Sequence, residues 1–141
     1  MLRQTKIRRG FTLIELLVVL VILALLAGIV LPKFLAQGEK AKVSTATTQI
    51  EQFKSAAQLF MVDNGSAPKS LDELIHQPSN AKNWKKYLSD LNEIPKDPWN
   101  NDYLYQTPAT NGDDFEIKSY GPDGKEGGGD DISSIKGGEQ K

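Results

Sequence analysis

Apolar residues dominate the early part of the chain, directly after a short polar start. Residues 16–31 form a run of 16 positions without a polar side chain. Counting back to Phe11 lengthens this segment to 21 residues, interrupted only by Thr12 and Glu15. About 20 such residues in a helix span the hydrocarbon core of a bilayer. The pattern therefore predicts a transmembrane helix over residues 11–32.

A second hydrophobic pattern follows Pro32, which can bend a helix without ending it. Apolar side chains recur at steps of four, three, four and three, which is typical of one half-buried helix face: Ala46, Ile50, Phe53, Ala57 and Phe60. Much of the polar side is formed by Lys42, Gln49, Gln52 and Lys54. The Asp63-Asn64-Gly65 sequence is typical of a helix end. We therefore expect one helix from Phe11 to Asp63, roughly 80 Å long at about 1.5 Å per residue.

Two short helices are predicted after this long one. Ser70 and Glu73 have the spacing of a capping box, which predicts a helix from Leu71 to His76. A second helical turn, ended by prolines, is predicted from apolar residues at helical spacing: Trp84, Tyr87, Leu88 and Leu91.

Strand-forming residues then predict an antiparallel hairpin. Residues 103–107 are rich in strand formers, Asn111-Gly112 is typical of a turn, and residues 115–119 alternate between the two faces of a strand. Residues 64–141 are too few to bury a large core alone, so they should fold over the exposed half of the helix. The predicted fold class is α+β, with a long N-terminal helix and a small antiparallel sheet or hairpin packed on its C-terminal half.

The charge distribution predicts the orientation of this helix in the membrane. Residues 1–10 carry four basic residues and no acid, whereas the rest of the chain carries 13 bases and 18 acids. Basic residues beside an apolar segment keep that end in the cytoplasm, so the C-terminal part should lie across the membrane. The net charge of −1 gives no reason to expect nucleic-acid binding. The absence of cysteine and the single histidine, His76, argue against a disulfide framework, a zinc-thiolate site and a catalytic triad.

Three interpretations of the apolar segment compete. A cleaved secretory signal usually has a shorter apolar run of about 7–15 residues. A simple membrane anchor fits the length but leaves Glu15 unexplained, because a carboxylate at this depth costs roughly 2.5–3.5 kcal/mol. The third interpretation is a retained helix in which Glu15 has a partner or snorkels to the headgroups.

An acidic, glycine-rich segment lies near the C-terminus, over residues 120–131. Such a composition is typical of a flexible tail. It is also compatible with a divalent cation, because Asp123, Asp130 and Asp131 supply carboxylates and the glycines allow the backbone to wrap around an ion. The spacing does not match an EF-hand loop. Residues alone leave both alternatives open.

Residues 8–15, Arg-Arg-Gly-Phe-Thr-Leu-Ile-Glu, resemble the class III signal of type IV pilins and pseudopilins. This resemblance implies that a prepilin peptidase cuts between Gly10 and Phe11 and then N-methylates the new terminal Phe11. It also implies that Glu15 acts in assembly. In a bundle of such helices the amine of a neighbouring Phe11 would offset the burial of Glu15 and set the register between subunits.

Two C-terminal segments resemble the major pseudopilins of type II secretion systems. Residues 97–103, Asp-Pro-Trp-Asn-Asn-Asp-Tyr, are similar to an Asp-Pro-Trp-Gly-x-x-Tyr segment, with Asn100 in place of the usual glycine. Residues 120–132 resemble the calcium loop of that family. The resemblance implies a structural Ca²⁺ held by Tyr120, Asp123, Gly128, Asp130 and Asp131. The Gly-Asn-Trp that often follows is replaced by residues 133–135, Ser-Ser-Ile, which predicts weaker packing of the C-terminal segment.

The resemblance implies a type IV pilin-like fold and a structural, non-enzymatic role. The expected regions are a cleaved basic leader at 1–10, a transmembrane and polymerisation segment at 11–32, a periplasmic domain at 33–136 and a flexible tail at 137–141. The protein would span the inner membrane once, with its N-terminus cytoplasmic, and polymerise into a periplasmic pseudopilus that drives secretion of folded exoproteins. Its implied partners are other copies of itself, minor pseudopilins, an inner-membrane assembly platform, an assembly ATPase and the prepilin peptidase/N-methyltransferase.

Two rival functions come from other classes. A type IV major pilin of a surface pilus shares the N-terminal signal, but the missing cysteine pair and the Asp-Pro-Trp segment argue against it. A membrane-anchored periplasmic enzyme lacks support because the sequence offers no nucleophile-base pair.

Overall fold

The computed structural model describes residues 10–135, without the side chains of residues 31–34. The predicted leader, apart from Gly10, and the predicted tail at 137–141 lie outside the described residues. The chain divides into two compact units after Glu39. The long helix α1, Leu13–Asn64, contributes to both units.

In the first unit the residues after Thr12 belong to α1, and the apolar side chains described there are exposed on every side of the helix. An 18-residue apolar stretch of α1 is 0% buried, and the helix is long and apolar enough to span a bilayer. The backbone stays helical through Pro32, as predicted. The helix begins two residues later and ends one residue later than predicted, with Gly65 in the left-handed conformation at φ 80° and its N–H bonded to the Met61 carbonyl.

The core of the second unit is built on the predicted stripe of α1. All five stripe residues are buried: Ala46, Ile50, Phe53, Ala57 and Phe60. Aromatic side chains from the rest of the unit pack on this stripe. The Tyr103 ring meets Phe53 edge-on at 5.2 Å, and the Tyr87 ring lies 5.4 Å from Phe60. The predicted folding of residues after Asn64 over this half of the helix is therefore confirmed.

The polar side of α1 is less exposed than the sequence pattern suggests. Gln49 and Lys54 are half-buried, because each reaches a distant part of the chain. The Tyr103 hydroxyl donates a hydrogen bond to Gln49, and the Lys54 ammonium donates to the Ser134 carbonyl at 2.7 Å.

Both short-helix predictions need correction. The first element is a single 3-10 turn, Leu71–Leu74, and the Ser70 side chain makes no capping bond. Glu73 instead accepts the Lys69 N–H at 2.9 Å. Residues 84–91 form turns and bends, because their apolar side chains pack individually against the core without a continuous helical backbone.

The sheet has three antiparallel strands in the order β1-β2-β3: β1 is Leu104–Gln106, β2 is Glu116–Ser119 and β3 is Ile132–Ser133. Tyr105 pairs with Ile117, and Ser119 pairs with Ile132. The hairpin β1-β2 was predicted, whereas the two-residue β3 was not. A long helix carrying a small antiparallel sheet confirms the predicted fold class.

Candidate functional sites: the N-terminal helix and the acidic loop

Gly10 and Phe11 lie just before α1, on backbone that is not helical. A β-carbon placed on Gly10 would meet no atom within 4 Å, and the Phe11 side chain is 77% exposed. The peptide bond between them is therefore open to an approaching enzyme. This arrangement is compatible with the predicted cleavage site.

Glu15 lies in the first turn of α1. Its N–H donates to the hydroxyl oxygen of Thr12 at 3.3 Å, so Thr12 caps the helix. This role of Thr12 was not predicted, although the Thr-x-x-Glu spacing is a capping signal. A carboxylate in the first turn is favoured by the positive end of the helix dipole.

The surroundings of Glu15 are apolar. Leu13, Ile14, Leu16 and Leu17 are all exposed large hydrophobic residues around it. Among residues 10–135, no basic side chain forms an ion pair with Glu15. Glu15 is therefore an acid on the exposed apolar part of α1, with no counter-charge among the described residues.

Asp97 organises the turn before β1. It is only 4% exposed, and its Oδ1 accepts the N–H groups of Trp99 at 3.0 Å and Asn101 at 2.8 Å. Asn100, between them, has a left-handed backbone with φ 71°. Asparagine adopts this conformation more readily than most residues, so the turn forms with Asn100 in place of glycine.

The Asp97 carboxylate also contacts the start of the acidic, glycine-rich segment at residues 120–131, which we call the acidic loop. Its Oδ2 accepts the hydroxyl of Ser119 at 2.5 Å, and the Ser119 oxygen accepts the Gly121 N–H at 3.2 Å. Burial, together with the nearby negative charge of Asp97, raises the pKa of Tyr103 to about 12. The Tyr103 phenol therefore stays protonated at neutral pH and remains a hydrogen-bond donor to α1.

The acidic loop folds back on itself after Ser119. Gly121 has φ 65°, and a β-carbon there would lie 2.5 Å from the Asp130 carbonyl oxygen. A β-carbon on Gly128 would lie 3.0 Å from Asp130 Oδ1 and 3.4 Å from Asp123 Oδ2. Two of the predicted ligand carboxylates therefore approach the same glycine, whose φ of 89° is a conformation that favours glycine.

Hydrogen bonds within the loop use one oxygen of each acid. Asp123 Oδ1 accepts the Lys125 N–H at 2.9 Å, and Asp130 Oδ2 accepts the Asp123 N–H at 3.4 Å. Asp131 Oδ2 accepts the Gly127 N–H at 2.8 Å, but its Oδ1 is buried without a hydrogen-bond partner. A buried carboxylate oxygen without a hydrogen-bond partner destabilises the folded state unless a donor or a cation binds it.

The predicted ligands thus share one loop without forming a complete cage. Asp123, Gly128 and Asp130 lie close together, Asp131 bonds to the adjoining backbone, and Tyr120 precedes the 3-10 turn Gly121–Asp123. Within residues 10–135, no three acidic or histidine side chains converge closely enough to hold a metal ion.

Hydrogen bonds of Ser134 hold the segment after the loop. Ser134 is 2% exposed and exchanges hydrogen bonds with Ile117, in addition to its contact with Lys54. The neighbouring residues of this segment are half-buried, and packing weaker than in the family stays a prediction.

Two family models match the chain. The model described as type II secretion system (T2SS), protein G, matches residues 33–137, and the prokaryotic N-terminal methylation motif matches residues 5–31. The second match contains Gly10, Phe11 and Glu15, and the first contains the Asp97 turn and the acidic loop.

Individual proteins agree with these matches. The chain is 39% identical over 140 residues to the type II secretion system core protein G of Pseudomonas aeruginosa, covering 94% of this chain and 96% of that protein. It is 36% identical over 142 residues to the protein of the same name from Vibrio cholerae, covering 94% and 95% of the two chains. The crystal structure of the major pseudopilin from the type 2 secretion system of enterohaemorrhagic Escherichia coli matches with a TM-score of 0.59 and 26% identity, over 71% of this chain and 91% of that one.

Proposed function

Since the chain belongs to the type II secretion system protein G family of major pseudopilins, we propose that it polymerises through its N-terminal helix into a periplasmic pseudopilus. The growing filament drives folded exoproteins across the outer membrane. Its relatives are structural components of the secretion system, so the chain is a structural subunit and not an enzyme. The match over residues 33–137 favours this assignment over a surface type IV pilin.

The observation that carries the proposal is Glu15, the one acid among residues 13–30, which form the exposed apolar part of α1. The apolar surface of residues 13–30 suits lipid before assembly and neighbouring helices after it. Glu15 stays costly in either setting until a cation reaches it. A processed neighbour supplies that cation as the amine of its Phe11. Each subunit would thereby offer one acid and one amine, and the pairing would fix the axial step between copies.

Processing creates the required amine. A prepilin peptidase/N-methyltransferase cuts between Gly10 and Phe11 and methylates the new terminus, which keeps its positive charge. The exposed Gly10–Phe11 bond and the methylation-motif match over residues 5–31 support this step. The basic start of the chain favours a cytoplasmic N-terminus in the inner membrane, with residues 33–136 in the periplasm.

We also propose that the acidic loop binds a structural Ca²⁺. The types of donor suit a hard cation, because Asp123 and Asp130, which approach Gly128, and the orphaned Asp131 Oδ1 offer carboxylate oxygens on a backbone that can wrap around an ion. Main-chain oxygens of Tyr120 and Gly128 complete the proposed ligand set. The bound ion would offset most of the negative charge of the three carboxylates and hold the loop closed. In a chain without cysteine, this closure takes the place of a disulfide.

The remaining proposed partners follow from the same assembly. An inner-membrane platform and an assembly ATPase drive the addition of subunits, and minor pseudopilins associate with the filament. These interactions concern the assembled helix bundle and the exposed surface of the second unit.

The test of polymerisation compares Glu15→Val with Glu15→Asp and with the apolar control Leu25→Val in cells carrying the secretion machinery. We expect Glu15→Val to insert in the membrane and be cleaved, but to lose filaments and secretion. Glu15→Asp keeps the charge and should retain part of both activities, while Leu25→Val should behave as wild type. Normal filaments and secretion in the Glu15→Val strain would refute the proposal.

A further inference from the structure

The segment that follows the acidic loop is held by contacts that involve none of the loop's acids. Ser134 lies at its centre and is almost fully buried. Its hydroxyl oxygen accepts the Ile117 N–H at 2.9 Å, and its own N–H donates to the Ile117 carbonyl at 2.8 Å. One residue of β2 is therefore bonded twice by a single serine.

The long helix adds a second point of attachment. The half-buried Lys54 ammonium, on α1, donates to the Ser134 carbonyl at 2.7 Å across 80 residues of sequence. Hydrogen bonds from charged donors are roughly twice as strong as neutral ones. The helix and the sheet thus hold the same residue from two directions.

Ser133 supplies a third attachment. Its hydroxyl donates to Oε1 of Glu116 at 2.8 Å, and Glu116 is itself 7% exposed and lies 3.3 Å from the Lys118 ammonium. The Ser133 oxygen also accepts the Ile135 N–H at 3.1 Å. A buried carboxylate on β2 therefore fixes the strand that follows the loop.

The opposite end of the loop is held independently as well. Asp97 accepts the Ser119 hydroxyl, and the Ser119 oxygen accepts the Gly121 N–H. The residues between these ends are mostly exposed. Protein contacts therefore fix both ends of the loop. The proposed metal ligands Asp123, Gly128, Asp130 and Asp131 lie between these ends.

We infer that Lys54, Glu116, Ile117, Ser133 and Ser134 form a C-terminal latch that keeps residues 132–135 docked without metal. Metal binding then orders residues 121–131 alone, and a metal-free subunit keeps its sheet and its C-terminal strand in place. The statement that metal binding orders residues 121–131 alone rests on the calcium binding proposed above. The inference that the latch holds residues 132–135 rests only on the hydrogen bonds described.

Hydrogen exchange of the full processed chain in detergent, measured by mass spectrometry with CaCl₂ or EGTA, tests this inference. We expect EGTA to accelerate exchange in residues 121–131 about tenfold or more, with less than a twofold change in residues 132–135. Ser134→Ala should accelerate exchange in residues 115–119 about fivefold or more, in EGTA as well as in calcium. Lys54→Met, a milder change, should accelerate exchange in residues 132–135. Ser55→Ala removes a hydroxyl bonded only within α1 and serves as the unchanged control.

Two results would overturn the latch. In the first, EGTA accelerates hydrogen exchange in residues 132–135 of the wild-type chain as strongly as in residues 121–131. In the second, both Ser134→Ala and Lys54→Met show the same hydrogen-exchange rates as the wild-type chain. If EGTA changes nothing while the two variants still accelerate exchange, the calcium proposal fails and the latch is supported. If Ser134→Ala fails to fold, Lys54→Met alone decides between these results.

Discussion

The hydroxyl of Ser119, the last residue of β2, donates a 2.5 Å hydrogen bond to the buried Asp97 carboxylate. The same carboxylate accepts two backbone N–H groups of the turn that leads towards β1. One acid therefore joins the Asp-Pro-Trp turn to the entrance of the acidic loop. This explains why two separated sequence segments belong to one structural unit.

Replacing Asp97 should be costly. Asp97→Ala leaves the Trp99 and Asn101 N–H groups and the Ser119 hydroxyl without their acceptor, so we expect a loss of about 3 kcal/mol in the free energy of unfolding. Asp102→Ala, at an exposed acid five residues away, should change it by less than about 1 kcal/mol. Urea unfolding followed by tryptophan fluorescence measures both. Equal losses in the two variants would show that the network is not stabilising.

Asn100 offers a test of backbone conformation. Because its φ is 71°, Asn100→Gly should be neutral or slightly stabilising, whereas Asn100→Ala should cost about 1 kcal/mol. Thermal unfolding of the two variants gives the comparison. The left-handed assignment would be wrong if alanine were tolerated as well as glycine.

Stability should depend on pH through Asp63, near the end of α1. Its hydrogen bonds with the Lys85 ammonium and the Tyr87 hydroxyl, both at 3.0 Å, lower its pKa below the ordinary value of 3.8. Its contribution is therefore complete above pH 3.8 and is lost as the pH falls through the folded-state pKa.

Asp63→Asn should accordingly be less stable than wild type at neutral pH, and the difference should shrink at about pH 3. Urea unfolding at both pH values measures it, with Asp114→Asn, at an exposed acid before β2, as the control. A difference that stays constant with pH would contradict the ion pair.

Removing the metal should lower the melting temperature. An ion at a hundred times its dissociation constant stabilises the folded state by about 2.7 kcal/mol, or roughly 10 °C in a unit of this size. We expect EGTA to lower the melting temperature of the wild-type chain by about this amount and to have little effect on Asp131→Asn. Asp90→Asn, an acid outside the loop, should respond like wild type. Identical melting curves with and without EGTA would rule out the metal.

The long helix could be predicted because both of its patterns are local. An apolar run and an apolar stripe at helical spacing depend only on neighbouring residues, and all five stripe positions are buried. The left-handed conformation of Asn100 also reflects a local preference, because asparagine adopts it more readily than most residues.

One short-helix error has a local cause and the other depends on a contact further along the chain. Glu73 accepts a hydrogen bond from Lys69 instead of completing a capping box with Ser70. Residues 84–91 have helical spacing, but bonds such as Trp84 Nε1 to the Glu73 carbonyl, at 2.7 Å, hold them in another conformation. Sequence spacing cannot show which remote group a side chain will reach.

Some features of the candidate site could be predicted from the sequence, and others could not. The loop and its acids were evident from composition, but β3 has only two residues and depends on pairing with β2. The importance of Ser134 was likewise hidden, because its partners Ile117 and Lys54 are 17 and 80 residues away. Thr12 was missed although its capping signal was present in the sequence.

The most direct measurement of the central claim is disulfide cross-linking in cells, which is clean because the chain has no cysteine. Thr12 and Leu16 adjoin Phe11 and Glu15 in sequence, so pairing between copies brings position 12 of one subunit near position 16 of the next. Thr12→Cys with Leu16→Cys in one chain should give a ladder of multimers upon oxidation, and adding Glu15→Val should abolish it. Cross-links absent from the double variant, while secretion continues at the full rate, would contradict assembly through Glu15.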